Sequence, residues 1–162
     1  MKYKCHDSSY VDFGAKIGED TKIWHFCHVM GTAVIGKKCN IGQNVFIADD
    51  VIIGNRCKIQ NNVSLYTGTI IEDDVFIGPS AVFTNIRNPR SFVVRKDDYL
   101  KTIIEKGSTI GANSTIVCGI TIGEYSFIGA GSVVTKDIPP YTIWYGNPAE
   151  LQGKVTKELD EY

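Results

Sequence analysis

The fold is decided by a six-residue repeat that is clearest in the segment Ile35-Gly-Lys-Lys-Cys-Asn-Ile41-Gly-Gln-Asn-Val-Phe-Ile47. Large apolar residues recur at every sixth position over thirteen repeats: Val11, Ile17, Ile23, Val29, Ile35, Ile41, Ile47, Ile53, Ile59, Leu65, Ile71, Ile77 and Phe83. The repeat is lost after Phe83 and resumes out of phase at Ile104, Ile110, Ile116, Ile122, Ile128 and Val134. A period of six fits neither an α-helix nor a simple alternating strand.

Glycine often follows the repeated apolar residue, and short β-rich runs broken by glycine at fixed spacing are typical of a parallel β-helix. Three hexads would close one triangular coil, so residues eighteen apart should stack at the usual strand separation of about 4.8 Å. One ladder would then contain Val11, Val29, Ile47, Leu65 and Phe83. We expect the glycines to relieve the corners, and Asn40, Asn55 and Asn113 to occupy turn positions where φ is positive.

Three of the five cysteines lie two residues before a repeat position, namely Cys27, Cys39 and Cys57. The same slot elsewhere holds small or β-branched residues, which indicates that it points inward and that these thiols act as small hydrophobes. Since there is no Cys-x-x-Cys pair, we expect reduced structural thiols and no metal site.

Length and composition exclude several classes of protein. A chain of 162 residues suits one domain, and 22% charged residues with a net charge of −1 give no general attraction to nucleic acid or anionic membranes. No apolar run is long enough for a signal peptide or for the roughly 18 residues that span a bilayer. We therefore expect a soluble, cytoplasmic protein that neither binds nucleic acid nor inserts into a membrane.

The interruption runs from about Thr84 to Thr102 and carries three arginines, Arg87, Arg90 and Arg95. Long irregular excursions in a compact repeat are usually functional, although a solvated insertion is the alternative. Clustered arginines suit the binding of phosphate or carboxylate groups.

Near the end of the sequence, Asn147-Pro148 predicts the N-cap and first residue of a short helix that covers the open end of the solenoid. The expected organisation is a β-helix over 1–146, with a protruding loop near 85–102, and a helical tail over 147–162.

Several polar residues have two interpretations. Amides occur at corners where other hexads carry glycine or charge, and they either stack on one another or face a ligand: Gln43, Asn44, Gln60, Asn61 and Asn62. His25 and His28 fall outside the inward slots, so they are either exposed corner residues or contacts to a sugar or nucleotide.

The hexads, the mid-chain loop and Gly146-Asn-Pro-Ala149 resemble the hexapeptide-repeat acyltransferases, whose fold is an all-β, left-handed parallel β-helix. Four segments are similar to the nucleotide-aminosugar 3-N-acetyltransferases: Lys58-Ile-Gln-Asn-Asn-Val-Ser-Leu-Tyr66, Gly78-Pro-Ser-Ala-Val-Phe-Thr-Asn85, Asn88-Pro-Arg90 and Gly111-Ala-Asn-Ser-Thr-Ile-Val-Cys-Gly119. The resemblance is greatest to enzymes acetylating UDP-2-acetamido-3-amino-2,3-dideoxyglucuronate for cell-surface polysaccharide such as lipopolysaccharide; relatives act on dTDP-3-amino-3,6-dideoxyhexoses. It implies acetyl-CoA as co-substrate and a homotrimer with active sites between adjacent subunits.

By this resemblance Asn85 is the expected catalytic residue, holding the sugar amine for attack. The candidate contacts to sugar or nucleotide are His25, His28, Gln43, Asn44, Lys58, Gln60, Asn61, Arg90 and Arg95. Family position suggests that CoA contacts Ala112, Cys118, Gly119, Lys136 and Pro148, and no metal is expected. Arg87 stands where many relatives carry an aromatic or apolar residue, which points to a different sugar.

Many hexapeptide acetyltransferases that modify hydroxyls use a histidine base near the loop, whereas the histidines here are His6, His25 and His28. A hydroxyl benefits from a positioned base. An amine with a pKa near that of an α-amino group, roughly 7.7–8.0, is partly free base and can attack directly. The enzyme then supplies proximity and an oxyanion donor, for which a backbone N–H in 111–119 is the candidate.

Three other functions fit the sequence less well. A hexapeptide O-acetyltransferase, or a zinc carbonic anhydrase with three converging histidines, is disfavoured because the mid-chain histidines are missing. A non-catalytic scaffold would leave the segments around Lys58–Tyr66 and Phe83–Arg90 without a purpose.

Overall fold

The computed structural model describes residues 3–156, which form a three-sided solenoid of short strands. In chain order the strands are β1 (Lys4–Cys5), β2 (Tyr10–Val11), β3 (Lys16–Ile17), β4 (Lys22–Ile23), β5 (His28–Val29), β6 (Val34–Ile35), β7 (Asn40–Ile41), β8 (Phe46–Ile47), β9 (Ile52–Ile53), β10 (Lys58–Ile59), β11 (Ser64–Leu65), β12 (Thr69–Ile71), β13 (Phe76–Ile77), β14 (Val82–Phe83), β15 (Thr102–Ile104), β16 (Thr109–Ile110), β17 (Thr115–Ile116), β18 (Thr121–Ile122), β19 (Phe127–Ile128), β20 (Val133–Val134), β21 (Thr142–Gly146) and β22 (Ala149–Lys154). In this part of the chain no helix is long and apolar enough to cross a bilayer.

Up to β20 every third strand joins the same sheet, and β21 and β22 extend the nine-stranded sheet. The nine-stranded sheet has the order β1-β4-β7-β10-β13-β16-β19-β21-β22, the seven-stranded sheet β2-β5-β8-β11-β14-β17-β20, and the six-stranded sheet β18-β15-β12-β9-β6-β3. Stacked partners are parallel and eighteen residues apart, as Val11 with Val29 and Val29 with Ile47, which confirms the predicted ladder and coil. Thr69 instead pairs with Thr102, so the loop inserts fifteen residues without shifting the register of the sheets.

The repeated apolar residues point inward and form one continuous core. From Ile23 onward they are at most 3% exposed, whereas Val11 and Ile17 in the first coil are partly buried. Full burial of one aliphatic side chain contributes about 1.5–3 kcal/mol. The ladder is therefore the main source of stability, as the period of six predicts.

The second inward slot is confirmed as buried, and the cysteines in it are free thiols. It also has a role beyond filling space. The Sγ atoms of Cys27, Cys39 and Cys57 donate hydrogen bonds to corner carbonyls of the next coil at 2.9–3.0 Å, and Ser108 does so through its hydroxyl at 2.8 Å. Burial raises the pKa of the Cys27 thiol, which keeps the donor proton in place. Small donors are thus selected where a buried carbonyl needs a partner.

The glycines that directly follow a repeated apolar residue are required for a different reason from the one expected, whereas Gly107, Gly119 and Gly131 at other corners have the expected positive φ. Gly36 does not have a positive φ, but a Cβ there would collide with the backbone of Gly54 in the next coil. The left-handed conformation belongs to another corner residue: Asn113 has φ 56°, as predicted. The same prediction is wrong for Asn40, which lies in β7, and for Asn55, where the left-handed residue is its neighbour Arg56.

The predicted C-terminal helix is wrong over the described residues, because Ala149–Lys154 is strand β22, antiparallel to β21. The final parallel strand would otherwise expose a row of unpaired backbone groups, and an added strand satisfies them. Residues 157–162 of the expected tail lie outside the described residues. The interruption is confirmed as a loop over 84–101 with a short 3₁₀ helix at Lys96–Asp98; Thr102 already begins β15.

Two neighbouring isoleucines in β9 test the assignment of inward and outward positions. We expect Ile53→Ala, at a site 1% exposed, to lower the free energy of unfolding by about 2–5 kcal/mol. Ile52→Ala, at a site 45% exposed, should cost less than about 1 kcal/mol. Urea unfolding followed by circular dichroism measures both, and equal losses would contradict the assigned register.

Candidate functional site

The predicted site residues border one face of the solenoid. The chain passes from the nine-stranded to the seven-stranded sheet at the first edge (residues 24–27, 42–45, 60–63 and 111–114). It passes from the seven-stranded to the six-stranded sheet at the second edge (residues 66–68, 84–101 and 117–120). Two candidates belong to the nine-stranded sheet: Lys58 lies exposed on it, and Pro148 is in the turn between its last two strands. The other candidates are on the seven-stranded sheet or next to one of these edges. The seven-stranded sheet is therefore the candidate active face.

At the first edge the amides stack on each other. The Nδ2 of Asn44 donates to Oδ1 of Asn62 at 3.0 Å, and Oδ1 of Asn61 accepts the backbone N–H of Gln43 at 2.8 Å. These contacts support the corner interpretation for the three asparagines. The side chains of Gln43 and Gln60 have no hydrogen-bond partner among residues 3–156 and can still reach a ligand.

The two candidate histidines occupy different positions. The His25 ring lies at the first edge, 3.5 Å from the ring of His6 between centroids. His28 points outward from β5, and its Nε2 lies 3.0 Å from Oδ2 of Asp12. Both therefore lie outside the core, as the sequence predicts.

At the second edge Asn85 begins the loop. The backbone carbonyl of Asn85 accepts the N–H of Leu100 at 3.0 Å, which closes the base of the loop. The side-chain amide of Asn85 is partly exposed and has no hydrogen-bond partner within the described part of the chain. Because the backbone of Asn85 is fixed and its side-chain amide is available for hydrogen bonding, Asn85 is suited to holding a polar group of a ligand.

Two threonines, which sequence reasoning missed, attach the loop to the coil that follows it. Oγ1 of Thr84 accepts the N–H of Cys118 at 2.9 Å, and Oγ1 of Thr102 accepts the N–H of Gly119 at 3.2 Å. The available signal was a hydroxyl residue at each end of the interruption. Through these bonds Asn85 is held beside the coil that contains Cys118 and Gly119.

The loop arginines are not equivalent. Nη1 of Arg95 contacts Oδ2 of Asp98 at 3.2 Å, while its Nε is buried and has no hydrogen-bond partner within residues 3–156. Arg90 is exposed, and its Nη1 donates to the neighbouring Pro89 carbonyl at 2.9 Å. Nη2 of Arg87 lies 3.5 Å from the position a Cβ would take at Gly119. Arg87 and Arg90 are therefore the arginines best placed for an anionic ligand.

The five residues expected to contact CoA divide between the two edges. Buried Cys118, exposed Gly119 and Lys136 follow strands of the seven-stranded sheet at the second edge. Ala112 lies at the first edge, and Pro148 is in the turn between β21 and β22. Nζ of Lys136 lies 5.1 Å from the Trp144 ring centroid, a cation–π contact. Residues 3–156 contain no group of three or more histidine, cysteine or acidic residues that could hold a metal ion.

An aromatic strip on the seven-stranded sheet was also missed. Tyr10, His28 and Phe46 are eighteen residues apart and point outward from stacked strands. Ring centroids are 5.8 Å apart for His28 and Phe46, and 6.0 Å for Phe46 and Tyr66. The spacing was visible in the sequence, but its meaning depends on the three-sided coil. The strip leads along the face toward Thr84 and Asn85.

Comparison with known proteins agrees with this architecture. The chain matches the family "Bacterial transferase hexapeptide (six repeats)" at residues 14–49, 50–85 and 101–136. It is 51% identical over 140 residues to dTDP-3-amino-3,6-dideoxy-alpha-D-galactopyranose 3-N-acetyltransferase of Aneurinibacillus thermoaerophilus, covering 86% of this chain and 72% of that protein.

Two solved structures are also similar. A hexapeptide-repeat acetyltransferase of Vibrio cholerae complexed with acetyl coenzyme A has a TM-score of 0.66 and 27% identity, over 90% of this chain and 73% of that one. A maltose O-acetyltransferase of Clostridium difficile has a TM-score of 0.63 and 30% identity, over 74% and 67%. Because an O-acetyltransferase shares the fold, the acceptor must be argued from the site.

The attachment of the loop can be tested at Thr102. Thr102→Val keeps the side-chain shape but leaves the Gly119 N–H without its acceptor, so we expect a loss of about 1–3 kcal/mol in stability. Hydrogen exchange at residues 118–119 and in the loop should accelerate. Thr115→Val, on the outward face of β17, is the control and should leave both measurements unchanged. Equal hydrogen-exchange rates in the Thr102→Val and Thr115→Val variants would show that Thr102 does not attach the loop to the next coil.

Proposed function

Since the chain belongs to the bacterial transferase hexapeptide family and is an acetyl-CoA-dependent acetyltransferase, we propose that it acetylates the 3-amino group of a nucleotide-linked aminosugar. Two features of the loop base carry this proposal. The side-chain amide of Asn85 has no hydrogen-bond partner among the described residues, and no histidine lies beside it. The 51% identity to a dTDP-aminosugar N-acetyltransferase supports the same acceptor class.

The histidines are too distant to act as the base at Asn85. They lie on the first two coils, whereas Asn85 is on the fifth, so His28 is about 14 Å away along the solenoid axis. A second copy related by rotation about an axis parallel to the solenoid would have its histidines on the same coils, and therefore at the same axial distance from Asn85. Neither the chain's own histidines nor those of such a copy reach Asn85, which favours an acceptor that needs no protein base.

The chemistry is then a direct aminolysis. The amine nitrogen attacks the thioester carbonyl, a C–N bond forms, and hydrogen bonds stabilise the oxyanion. Of the backbone N–H groups in 111–119 that were candidate donors, those of Cys118 and Gly119 already donate to Thr84 and Thr102. The C–S bond then breaks, and the departing thiolate takes the surplus proton from nitrogen, giving the acetamido sugar and CoA. Asn85 holds the amine or an adjacent group in the attacking orientation. Acetyl-CoA supplies the activated acyl group beside Gly119 and Arg87.

The favoured substrate is a dTDP-3-amino-3,6-dideoxyhexose, because the relative with 51% identity is named for one. UDP-2-acetamido-3-amino-2,3-dideoxyglucuronate is the second candidate, and exposed Arg90 favours it because a guanidinium can bind the uronate carboxylate. Either product would serve cell-surface polysaccharide synthesis in the cytoplasm, where acetyl-CoA and nucleotide sugars are made.

We further propose a homotrimer with the active site between subunits. The candidate residues are divided between the first and second edges, on opposite sides of one sheet. Packing the first edge of one copy near the second edge of the next would bring Gln43 and Gln60 close to the partner loop. A flat-sided prism suits closed rotational packing of this kind.

Substitution of Asn85 tests the assignment. Asn85→Ala should lower kcat/KM by about 10²-fold or more, because orientation and hydrogen bonding at the reacting centre are lost. Activity is measured by thiol release from acetyl-CoA with UDP- and dTDP-3-amino sugars. Asn88→Ala, in the same loop, is the matched control and should retain activity. Full activity in Asn85→Ala would remove Asn85 from the reaction.

The pH dependence tests whether a protein base is used. With direct attack, kcat/KM should rise along a single limb whose midpoint follows the substrate amine, roughly pH 7.7–8.0 for an ordinary α-amino group. A second limb in the pH profile of kcat/KM, with a midpoint that does not move when the substrate amine has a different pKa, would indicate a base supplied by the enzyme. Acetylation of hydroxyl acceptors alone would refute the proposed function.

A further inference from the structure

A cavity of about 450 Å³ opens on the seven-stranded sheet near the N-terminal end of the solenoid, away from the loop. It is lined by Ser8, Tyr10, Asp12, Phe26, Cys27 and His28. Only His28 of these residues was a candidate from the sequence. The cavity lies three coils below Asn85 and is not needed for the acyl-transfer step.

Two exposed aromatic side chains border this cavity. Tyr10 is 75% and Phe26 is 62% exposed. Phe26 has φ 57°, the left-handed corner conformation that Asn44 and Asn62 also adopt in the next two coils, and its N–H donates to Oγ of Ser8 at 3.0 Å. Exposed rings held beside a cavity provide stacking surfaces for a planar group.

A polar pair also lines this cavity. Nε2 of His28 lies 3.0 Å from Oδ2 of Asp12, so the imidazole holds the carboxylate in one orientation. The other carboxylate oxygen, Oδ1, has no hydrogen-bond partner among the described residues and can accept one. Uracil and thymine present an imide N–H between two carbonyl groups, whereas cytosine presents a bare ring nitrogen at the same position. A carboxylate oxygen fixed opposite the ring nitrogen accepts the imide N–H of these bases, whereas cytosine would have to shift so that its exocyclic amino group becomes the donor.

The position of the cavity relative to Asn85 matches an extended ligand. The aromatic strip through His28, Phe46 and Tyr66 connects the cavity with the loop base. The separation of about 14 Å along the axis can be bridged by a ribose and a diphosphate. A nucleotide sugar lying along this face would have its base at one end and its 3-amino group at the other.

We propose that the cavity binds the uracil or thymine base of the substrate, with the ring against Tyr10 and Phe26 and the imide N–H on Asp12. The proposal rests on the proposed function, since it assigns the nucleotide end of the same substrate. His28 is a positioning residue that orients Asp12. Asp12 is then the specificity-determining residue that distinguishes imide bases from cytosine.

Calorimetric titration with UDP, dTDP and CDP tests the assignment on the intact protein. UDP or dTDP should bind about tenfold or more tightly than CDP. Tyr10→Ala should weaken UDP and dTDP binding about tenfold through lost stacking. Asp12→Asn should reduce the preference over CDP, because an amide can both donate and accept. Phe127→Ala, an exposed aromatic on the nine-stranded sheet, is the matched control and should bind all three nucleotides as the parent protein does.

The results that overturn the inference are distinct from those that overturn the proposed function. Equal affinity for CDP, or unchanged affinity in Tyr10→Ala, would refute the base site even if aminosugars are acetylated. Selective UDP or dTDP binding without aminosugar acetylation would refute the reaction and leave the base site in place.

Kinetics and molecular mass complete the test. For an acetylating enzyme, Tyr10→Ala and His28→Ala should raise KM for the nucleotide sugar, with kcat and KM for acetyl-CoA nearly unchanged. A changed molecular mass by light scattering with unchanged nucleotide affinity would assign this surface to subunit packing and refute the base site.

Discussion

The whole structure depends on stacking one coil on the next at the separation of neighbouring strands. Each coil satisfies its backbone through the coils above and below, as in Lys58 N to Val75 O at 2.9 Å, and the repeated aliphatic residues fill the interior. This spacing leaves no space for a Cβ at corners such as Gly36, and it brings small donors such as Cys39 and Ser108 within hydrogen-bond distance of a carbonyl in the next coil. Core, corner and inward-slot composition all follow from the same distance.

A scaffold of this kind can carry a long insertion at one corner without loss of register. The loop leaves after β14 and returns at β15, and Thr69 still pairs with Thr102 as though the chain had made an ordinary turn. The hydroxyls of Thr84 and Thr102 attach both ends to the next coil. Rigid ladders therefore fix where the loop begins, and this in turn fixes Asn85, while the rest of the loop can vary with the substrate.

The seven-stranded sheet carries both the proposed acyl-transfer site and the proposed nucleotide-binding site. Asn85 and the arginines lie at its second edge, the stacked amides at its first, and aromatic rings along its outward face. A nucleotide sugar is long and planar at one end, and the proposed base site and Asn85 lie at opposite ends of this face. The proposed amine acceptor is already nucleophilic near neutral pH and needs no imidazole at Asn85.

By itself, the sequence determined the solenoid, its three-sided coil, the buried thiols and the interruption, because a six-residue period is a local pattern that neighbouring hexads repeat. It was wrong about the C-terminal helix and about Asn40 and Asn55. Asn147-Pro148 suits a helix start, but an unpaired final strand requires a partner, and only the assembled sheet shows that edge. Tertiary structure also decided which amides stack, that Arg95 contacts Asp98, and that Tyr10, Phe26 and Asp12 share one cavity. Such contacts join residues fifteen or more positions apart, or depend on how a loop folds back on itself, so they arise only when the coils are stacked.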